Sequence, residues 1–416
     1  MVQLTQDCFA FGKKLIKLEN AINRIHKNIK CNQNIEKIHI KYSLDRTIAT
    51  NVVSKLNVPP YSNSAVDGYA IRYKDYLSNA KTYNIAGKST AGHPCNKKLK
   101  KLDAIRIFTG AILPNGFDTI IMEEDCVVNG KKVVLPNKVK KNINYRYLGE
   151  DIKINSKVFS SGHKIRPQDI GVLSSLGISY IKAFEPITVS IFSCGDELIN
   201  IGTKLKKGQI YDSNRGMITN FLKKLGCKVN DLGILKDNKN SLIKKLNNAA
   251  SKSDLIITSG GMSLGEEDHI KTIIETIGKI HVWRLAIKPG RPVGFGTINN
   301  TPILGLPGNP AAAFVTFLIL AIPIIKKMSG EIVKNIKKIK VPINFNHKKK
   351  TGRKEFLRVQ LIKKNDDLYL NKFPKEGAGI LSSASWASGL GIIDDDIINI
   401  KPNDKINYIS LNELLN

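Results

Sequence analysis

The chain has 416 residues, of which 65 are Lys or Arg and 35 are Asp or Glu, giving a formal net charge of +30. Hydrophobic residues make up 42% and charged residues 24%, a globular balance that excludes a disordered or collagen-like chain and fits about two to four domains. The lysines are spread along the whole length among frequent Ile and Asn, so the charge reads as compositional drift or solubility and not as a nucleic-acid-binding patch.

Residues 1–30 are polar and Lys-rich, with no apolar stretch leading to a small-residue cleavage site, which predicts a cytoplasmic protein without a secretory signal. Cys8, Cys31, Cys95, Cys126, Cys194 and Cys227 are scattered, with no Cys-x-x-Cys pair, and suggest reduced thiols rather than a disulfide framework or a zinc ribbon. Phe9, Phe11, Leu15, Leu18, Ile22 and Ile25 recur at near-helical spacing and predict an amphipathic helix within residues 7–30. From about residue 50 to 145, the β-prone runs "YNIAGKS", "AIRIFTGAILP", "DTIIMEEDCVV" and "KKVVLP" are separated by turn residues, which predicts an inserted β-rich module. The "AGKST" within it resembles the end of a P-loop. Thr82 stands where the earlier glycine is required and no helix follows, so it reads as a turn.

Residues 185–328 alternate strand-like and helix-like text: "ITVSIFS", "NRGMITNFLKKLG", "CKVNDLGIL", "NSLIKKLNNAAS", "DLIITSGG", "DHIKTIIETIG", "VWRLAI", "PVGFGTI" and "PILGLPG". That alternation predicts βαβ units and a mainly parallel sheet with helices on both faces. The apolar run Ala311 to Ile325 is shorter than the roughly 20 residues of a membrane helix and reads as a buried helix. Beyond Gly330, "KIKVPINF", "EFLRVQLI", "DLYLNKF" and "INYISL" predict a small C-terminal β domain.

Ligands of open α/β sheets sit beyond the carboxyl ends of the strands, which singles out three loops. "FSCGDEL" places Asp196 and Glu197 after a glycine turn, either as carboxylates for a divalent metal or as a solvated turn. "TSGGMSLGEED" joins Ser259, Gly260 and Gly261 to Ser263, Gly265 and Asp268 at a helix start; it suits a phosphate or pterin-like anion, or is a plain connection. "LGLPGNP" opens the apolar helix with Pro307, Gly308, Asn309 and Pro310, presenting helix amides to an anion or simply capping the helix. "RLAIKPGRP" gathers Arg284, Lys288 and Arg291 in one short segment, a candidate oxyanion site.

With "VPPYSNSAVDGYAI", "IFTGAILP", "RYLGEDI", "SCGDEL", "GQIYDSN", "TSGGMSLGEED", "IKPGRP" and "LPGNPAAAF" in this order, the chain resembles the molybdopterin molybdenumtransferases, the family of MoeA and the gephyrin E domain. The resemblance implies a multidomain α/β protein and an elongated homodimer. Residues 1–50 with 145–184 would form an N-terminal dimerising domain, 51–144 an inserted β-rich domain, 185–329 a central mainly parallel α/β domain of molybdopterin-binding type, and 330–416 a C-terminal β-barrel-like domain. It also implies Mg2+-dependent insertion of molybdenum from molybdate into adenylylated molybdopterin with release of AMP, and transient contact with the molybdopterin adenylyltransferase and acceptor molybdoenzymes. Neither nucleic acid nor membrane is implied.

Carried over by motif, Asp67, Glu197, Asp237 and Asp268 become the catalytic and Mg2+-binding acids, with Asp151 supplied by the dimer partner. Thr109, Asp196, Ser259, Gly260, Gly261, Ser263, Pro307, Gly308, Asn309 and Pro310 become substrate-binding, and Arg284, Lys288, Arg291 and Arg358 receive molybdate. Gly377-Ala378-Gly379 stands where the family commonly has Gly-Ser-Gly, and Arg284 and Arg291 stand where Lys is common. The competing readings are an adenylyltransferase, which needs neither the inserted module nor the C-terminal domain, a gephyrin-like scaffold, and a nucleic-acid binder.

Overall fold

The computed structural model describes residues 15–31, 34–236, 238–262, 269–332 and 336–415. Asp237, Ser263, Gly265 and Asp268 lie outside them, as do Cys8, Phe9 and Phe11 of the predicted N-terminal helix.

The central sheet runs Lys228–Leu235, Thr188–Cys194, Leu255–Ser259, Thr301–Leu306, Gly294–Ile298, Gly278–Trp283, the first four strands parallel and Gly294–Ile298 antiparallel to both of its neighbours. Side chains alternate between its faces as strand geometry requires. Leu255, Ile257, Leu304 and Leu306 enter one core with the helices Ser213–Lys224 and Pro310–Thr316, whereas Ile256 and Ile303 enter a second with Lys239–Lys252 and His269–Ile277. A sheet covered on both faces is what the near-continuous apolar strands predict. The apolar run forms one continuous helix, Pro310–Met328, with a π turn at Phe317–Ala321. Most of it is buried inside the protein, so it is a core helix.

Helix Leu18–Lys27 forms at the C-terminal end of the predicted stretch. It buries Leu18, Ala21 and Ile25 in the first of these central cores. Just before it, Ile16 forms a parallel bridge to Leu285.

Three antiparallel pairings are nested one inside another: Ile35–His39 with Tyr180–Phe184, Val52–Val53 with Lys157–Phe159, and Asn63–Ser64 with Tyr145–Arg146. The chain therefore travels out along a two-stranded ribbon and back. Between the two innermost strands it builds a sheet ordered Thr119–Met122, Gly68–Ile71, Asp103–Ile107, Thr82–Ser89, Lys132–Val134, Val127–Asn129. "AGKST" ends strand Thr82–Ser89 and enters a tight turn closed by a Thr90–His93 bridge.

In the C-terminal region Lys354–Lys364 pairs with Asp367–Lys372 on one side and leads through Gly389–Ile393 and Lys405–Ser410 to Ile339–Pro342 on the other. A bridge between Ile343 and Leu370 returns the last strand toward Asp367–Lys372, giving the barrel-like closure. Ile287–Lys288, from the "IKPGRP" segment, adds to this sheet as a parallel partner of Lys354–Lys364. The central region thus lends a strand to the C-terminal one.

Candidate active site

Strands Thr188–Cys194, Leu255–Ser259 and Thr301–Leu306 are parallel neighbours, so the loops that follow them emerge side by side. They enclose a cleft of about 480 Å³ lined by Glu197, Ser259, Gly260, Gly261, Pro307, Gly308, Asn309 and Pro310 of the predicted set. Tyr211, Asp212, Ser213, Asn214, Met262 and Pro292 line it as well, and sequence reasoning gave them no role.

The floor has to be glycine. Gly260 and Gly261 have φ of +87° and +71°, and a Cβ would lie 2.4 Å from the Cys194 carbonyl oxygen at the first and 2.5 Å from Ile270 Cγ1 at the second. Gly260 N–H donates to the Leu306 carbonyl at 3.2 Å, which ties this turn to the neighbouring strand end. Asp212 caps the helix Ser213–Lys224 through the Arg215 N–H and accepts from Arg215 Nε at 2.8 Å; Arg215 also binds Asp231 at 2.6 Å. Asn214, in that helix's first turn, donates through Nδ2 to Ser259 Oγ at 2.8 Å and to the Gly308 carbonyl at 2.7 Å. "GQIYDSN" was the available signal, a motif ending at a helix start.

A second pocket, of about 130 Å³, lies against the barrel and is lined by Lys288, Arg358, Lys372 and Lys375 with Glu355, Glu376 and Ala378. Lys288 pairs with Glu355 at 2.8 Å, Lys372 with Glu376 at 2.6 Å, and buried His347 stands 3.3 Å from Glu355 and 3.5 Å from Glu376. Burial pushes the Glu355 carboxyl up, but His347 and Lys288 outweigh it and hold it below the usual range. Arg358 donates from Nε to Ser383 Oγ at 3.0 Å and from Nη2 to the Gly377 carbonyl at 3.1 Å, which fixes its guanidinium plane. Of the four predicted molybdate cations, the structure brings Lys288 and Arg358 together. Arg284 is buried at φ +61° beside the N-terminal segment, where its carbonyl accepts from Ile16 N–H, and neither it nor Arg291 lines this pocket.

The two pockets are joined at one hydrogen bond. Ala311 N–H, the first amide after Pro310, donates to the Ala378 carbonyl at 2.9 Å. Two of the helix's N-terminal positions offer no amide to the cleft: Pro310 has no N–H, and the Ala311 amide is taken by the C-terminal region.

Asp67 and Thr109 are brought together on the inserted sheet, away from this cleft: Thr109 donates from its N–H and from Oγ1 to Asp67 Oδ1, both at 2.7 Å. Those bonds hold Asp67 below its ordinary value. Asp151 is exposed on the ribbon, where its N–H donates to the Val58 carbonyl, and Asp196 is exposed beside Glu197 without lining the cleft.

Among the described residues no three His, Cys, Asp or Glu side chains converge as a metal cage. Asp212 is committed to Arg215, which leaves Glu197 as the carboxylate that the described cleft offers. Mg2+ is commonly held by one or two carboxylates plus substrate phosphate oxygens and water, and Glu197 fits that donor set.

A glycine-floored cleft at the ends of a parallel sheet, beside a pocket where four cations outnumber two carboxylates, is the arrangement of a protein class suited to anionic ligands. Comparison with known proteins makes the class specific. The MoeA N-terminal region (domain I and II) matches residues 16–177, a probable molybdopterin binding domain matches 190–327, and the MoeA C-terminal region (domain IV) matches 340–411. A molybdopterin molybdenumtransferase of Haemophilus influenzae is 35% identical over 96% of this chain and 100% of its own. Gephyrin of Dictyostelium discoideum is 32% identical over 73% of this chain and 48% of its own length. The solved molybdopterin biosynthesis MoeA protein of Pyrococcus horikoshii is 28% identical, with a TM-score of 0.80 over 95% of this chain and 99% of that one. The chain belongs to the molybdopterin molybdenumtransferase (MoeA) family.

Proposed function

We propose that the chain inserts molybdenum from molybdate into adenylylated molybdopterin, releasing AMP in a Mg2+-dependent step, and works in the cytoplasm as a homodimer. Its family membership makes it a transferase of molybdenum cofactor biosynthesis. The observation that supports the finer reading is the junction at Ala311 and Ala378, which sets a cleft of about 480 Å³ against a cation pocket of about 130 Å³. One is sized for a phosphorylated pterin, the other for a tetrahedral dianion.

In this reading, Ser259 and the glycine turn hold the phosphoryl end of the substrate, while Pro307 to Pro310 form the wall nearest the oxyanion. Lys288 and Arg358 bind molybdate, and Lys372 and Lys375 add field to the same pocket. Asp67, with Thr109, and Asp151 do not reach their own chain's cleft, and a second copy brings them there. Glu197 holds Mg2+, joined by Asp67, Asp237 and Asp268. When bound, the ion supplies charge neutralisation to the phosphoanhydride as it cleaves. The adenylyltransferase delivers the substrate, and molybdoenzymes accept the product.

The test is AMP release from adenylylated molybdopterin by the purified protein with Mg2+, with and without molybdate. Molybdate-stimulated release that collapses in Asp67→Ala and Glu197→Ala is expected. A protein that binds the nucleotide but never turns it over with molybdate present would overturn the reading.

A further inference from the structure

The proton of one hydroxyl in the cleft is oriented by a neighbour. Asn214 Nδ2 lies 2.7 Å from the Gly308 carbonyl oxygen, and a carbonyl can only accept. Gly308 therefore settles which end of the Asn214 amide faces it. The same nitrogen lies 2.8 Å from Ser259 Oγ. Since an amide NH2 carries donors alone, Ser259 Oγ must accept, and its own O–H must point elsewhere.

Ser259 is the last residue of its strand, lines the cleft and is followed by the glycine floor. Among the described residues, its hydroxyl makes no hydrogen bond other than the one it accepts. Asn214 also bears a cost that needs a reason: it is 7% exposed, and Oδ1 is buried without a hydrogen-bond partner among the described residues. An unsatisfied buried oxygen in a folded protein calls for a compensating role, and here both amide hydrogens are committed to cleft loops.

We propose that Asn214 is the positioning residue of the cleft: by donating to Ser259 Oγ and the Gly308 carbonyl, it turns the Ser259 O–H toward a phosphoryl oxygen of the bound substrate. The inference rests on the phosphoryl-binding reading of the cleft and deepens it. A hydroxyl aimed in advance donates to a developing or resident negative charge without reorganising. Asn214 also braces the loops after strands Leu255–Ser259 and Thr301–Leu306 against one helix start, so the donor and the opposite wall keep a fixed spacing.

The experiment is a double-mutant cycle on the full chain, read by calorimetric binding of AMP, with AMP release as a second measure and a melting curve for each variant. Ser259→Ala and Asn214→Ala should each weaken AMP binding about tenfold, and the double variant should weaken it no further, because Asn214 acts through Ser259. Asn214→Asp should be worse than Asn214→Ala at a similar melting temperature, since its carboxylate accepts the Ser259 proton and withdraws it from the ligand. A merely structural asparagine would give losses that add and track the melting temperature. Additive losses in a protein that still turns over overturn this inference alone, whereas full AMP affinity in Ser259→Ala overturns it together with the assignment of Ser259 to the phosphoryl end. Failure of the wild-type protein to bind AMP overturns it together with the phosphoryl reading.

Discussion

Thr109 gives two hydrogen bonds to a single oxygen of Asp67, one from the backbone and one from the hydroxyl, each 2.7 Å long. They favour the charged carboxylate, and Arg106 adds to them from further away, so Asp67 stays ionised below the pH where an ordinary aspartate gains its proton. Thr109→Val removes the hydroxyl and keeps the backbone donor. Its acid limb of activity should move up in pH, with about a tenfold loss of AMP release, whereas Asp67→Asn should lose activity at every pH. A pH–rate profile of the two variants is the check, and an unmoved acid limb in Thr109→Val would show that the pair has no catalytic consequence.

Arg358 is held by Ser383 and by the Gly377 carbonyl, so its plane is set before any anion arrives. Arg358→Lys preserves charge and loses the fork; the molybdate concentration for half-maximal AMP release should rise about tenfold, and further in Arg358→Ala. AMP affinity measured in the same variants should not change, because the nucleotide is assigned to the other pocket.

Gly260→Ala would place a methyl 2.4 Å from the Cys194 carbonyl oxygen at a backbone angle of +87°. Both faults point the same way, and a loss of at least ~1 to 2 kcal/mol is expected. Thermal melting and AMP binding should fall together. Gly92→Ala, at φ +80° with open space around its Cβ position, separates the backbone cost from the collision.

Asp169 is the third residue of the helix Pro167–Ser175 and accepts from Arg166 Nη2 at 2.9 Å and from the His163 ring at 2.7 Å. Burial raises its pKa, but Arg166 and His163 outweigh burial and bring it from the ordinary 3.8 down to about 2. A depressed carboxylate stabilises the fold above its unfolded pKa and ceases to do so as pH falls through the folded one. Asp169→Asn should therefore be less stable by ~2 kcal/mol at neutral pH. The gap from wild type should close between about pH 3.8 and 2, as followed by denaturant unfolding across that range.

The central sheet was legible because short apolar runs alternate with helix-length amphipathic stretches, and the floor loops because Ser259-Gly260-Gly261 and Pro307 to Pro310 interrupt that alternation at strand ends. Sequence could not show Asn214 as a brace, since its partners Ser259 and Gly308 lie 45 and 94 residues away and meet only when three loops converge. The same holds for Glu355, Glu376 and Lys372, which reach one pocket from separate strands and turns of the barrel, and for His347, which stands against both carboxylates. Arg284 was misleading in the opposite way. It is near Lys288 in sequence, but its left-handed backbone directs the chain toward Ile16, outside the pocket that Lys288 lines. Ile287–Lys288 is too short a strand to have a period, so its pairing with the barrel left no trace in the pattern.

The nested ribbon has a consequence for how this chain can be cut and rejoined. Ser64 and Tyr145 are cross-strand partners, so the departure and return of the inserted sheet are about 5 Å apart. Everything between them is, to the rest of the molecule, a closed parenthesis. Replacing residues 65–144 by a short turn would leave Val52–Val53 beside Lys157–Phe159 and Ile35–His39 beside Tyr180–Phe184, the same partners in the same order. Such a shortened chain should keep its central sheet and its barrel, while Asp67 and Thr109 leave together as one detachable unit.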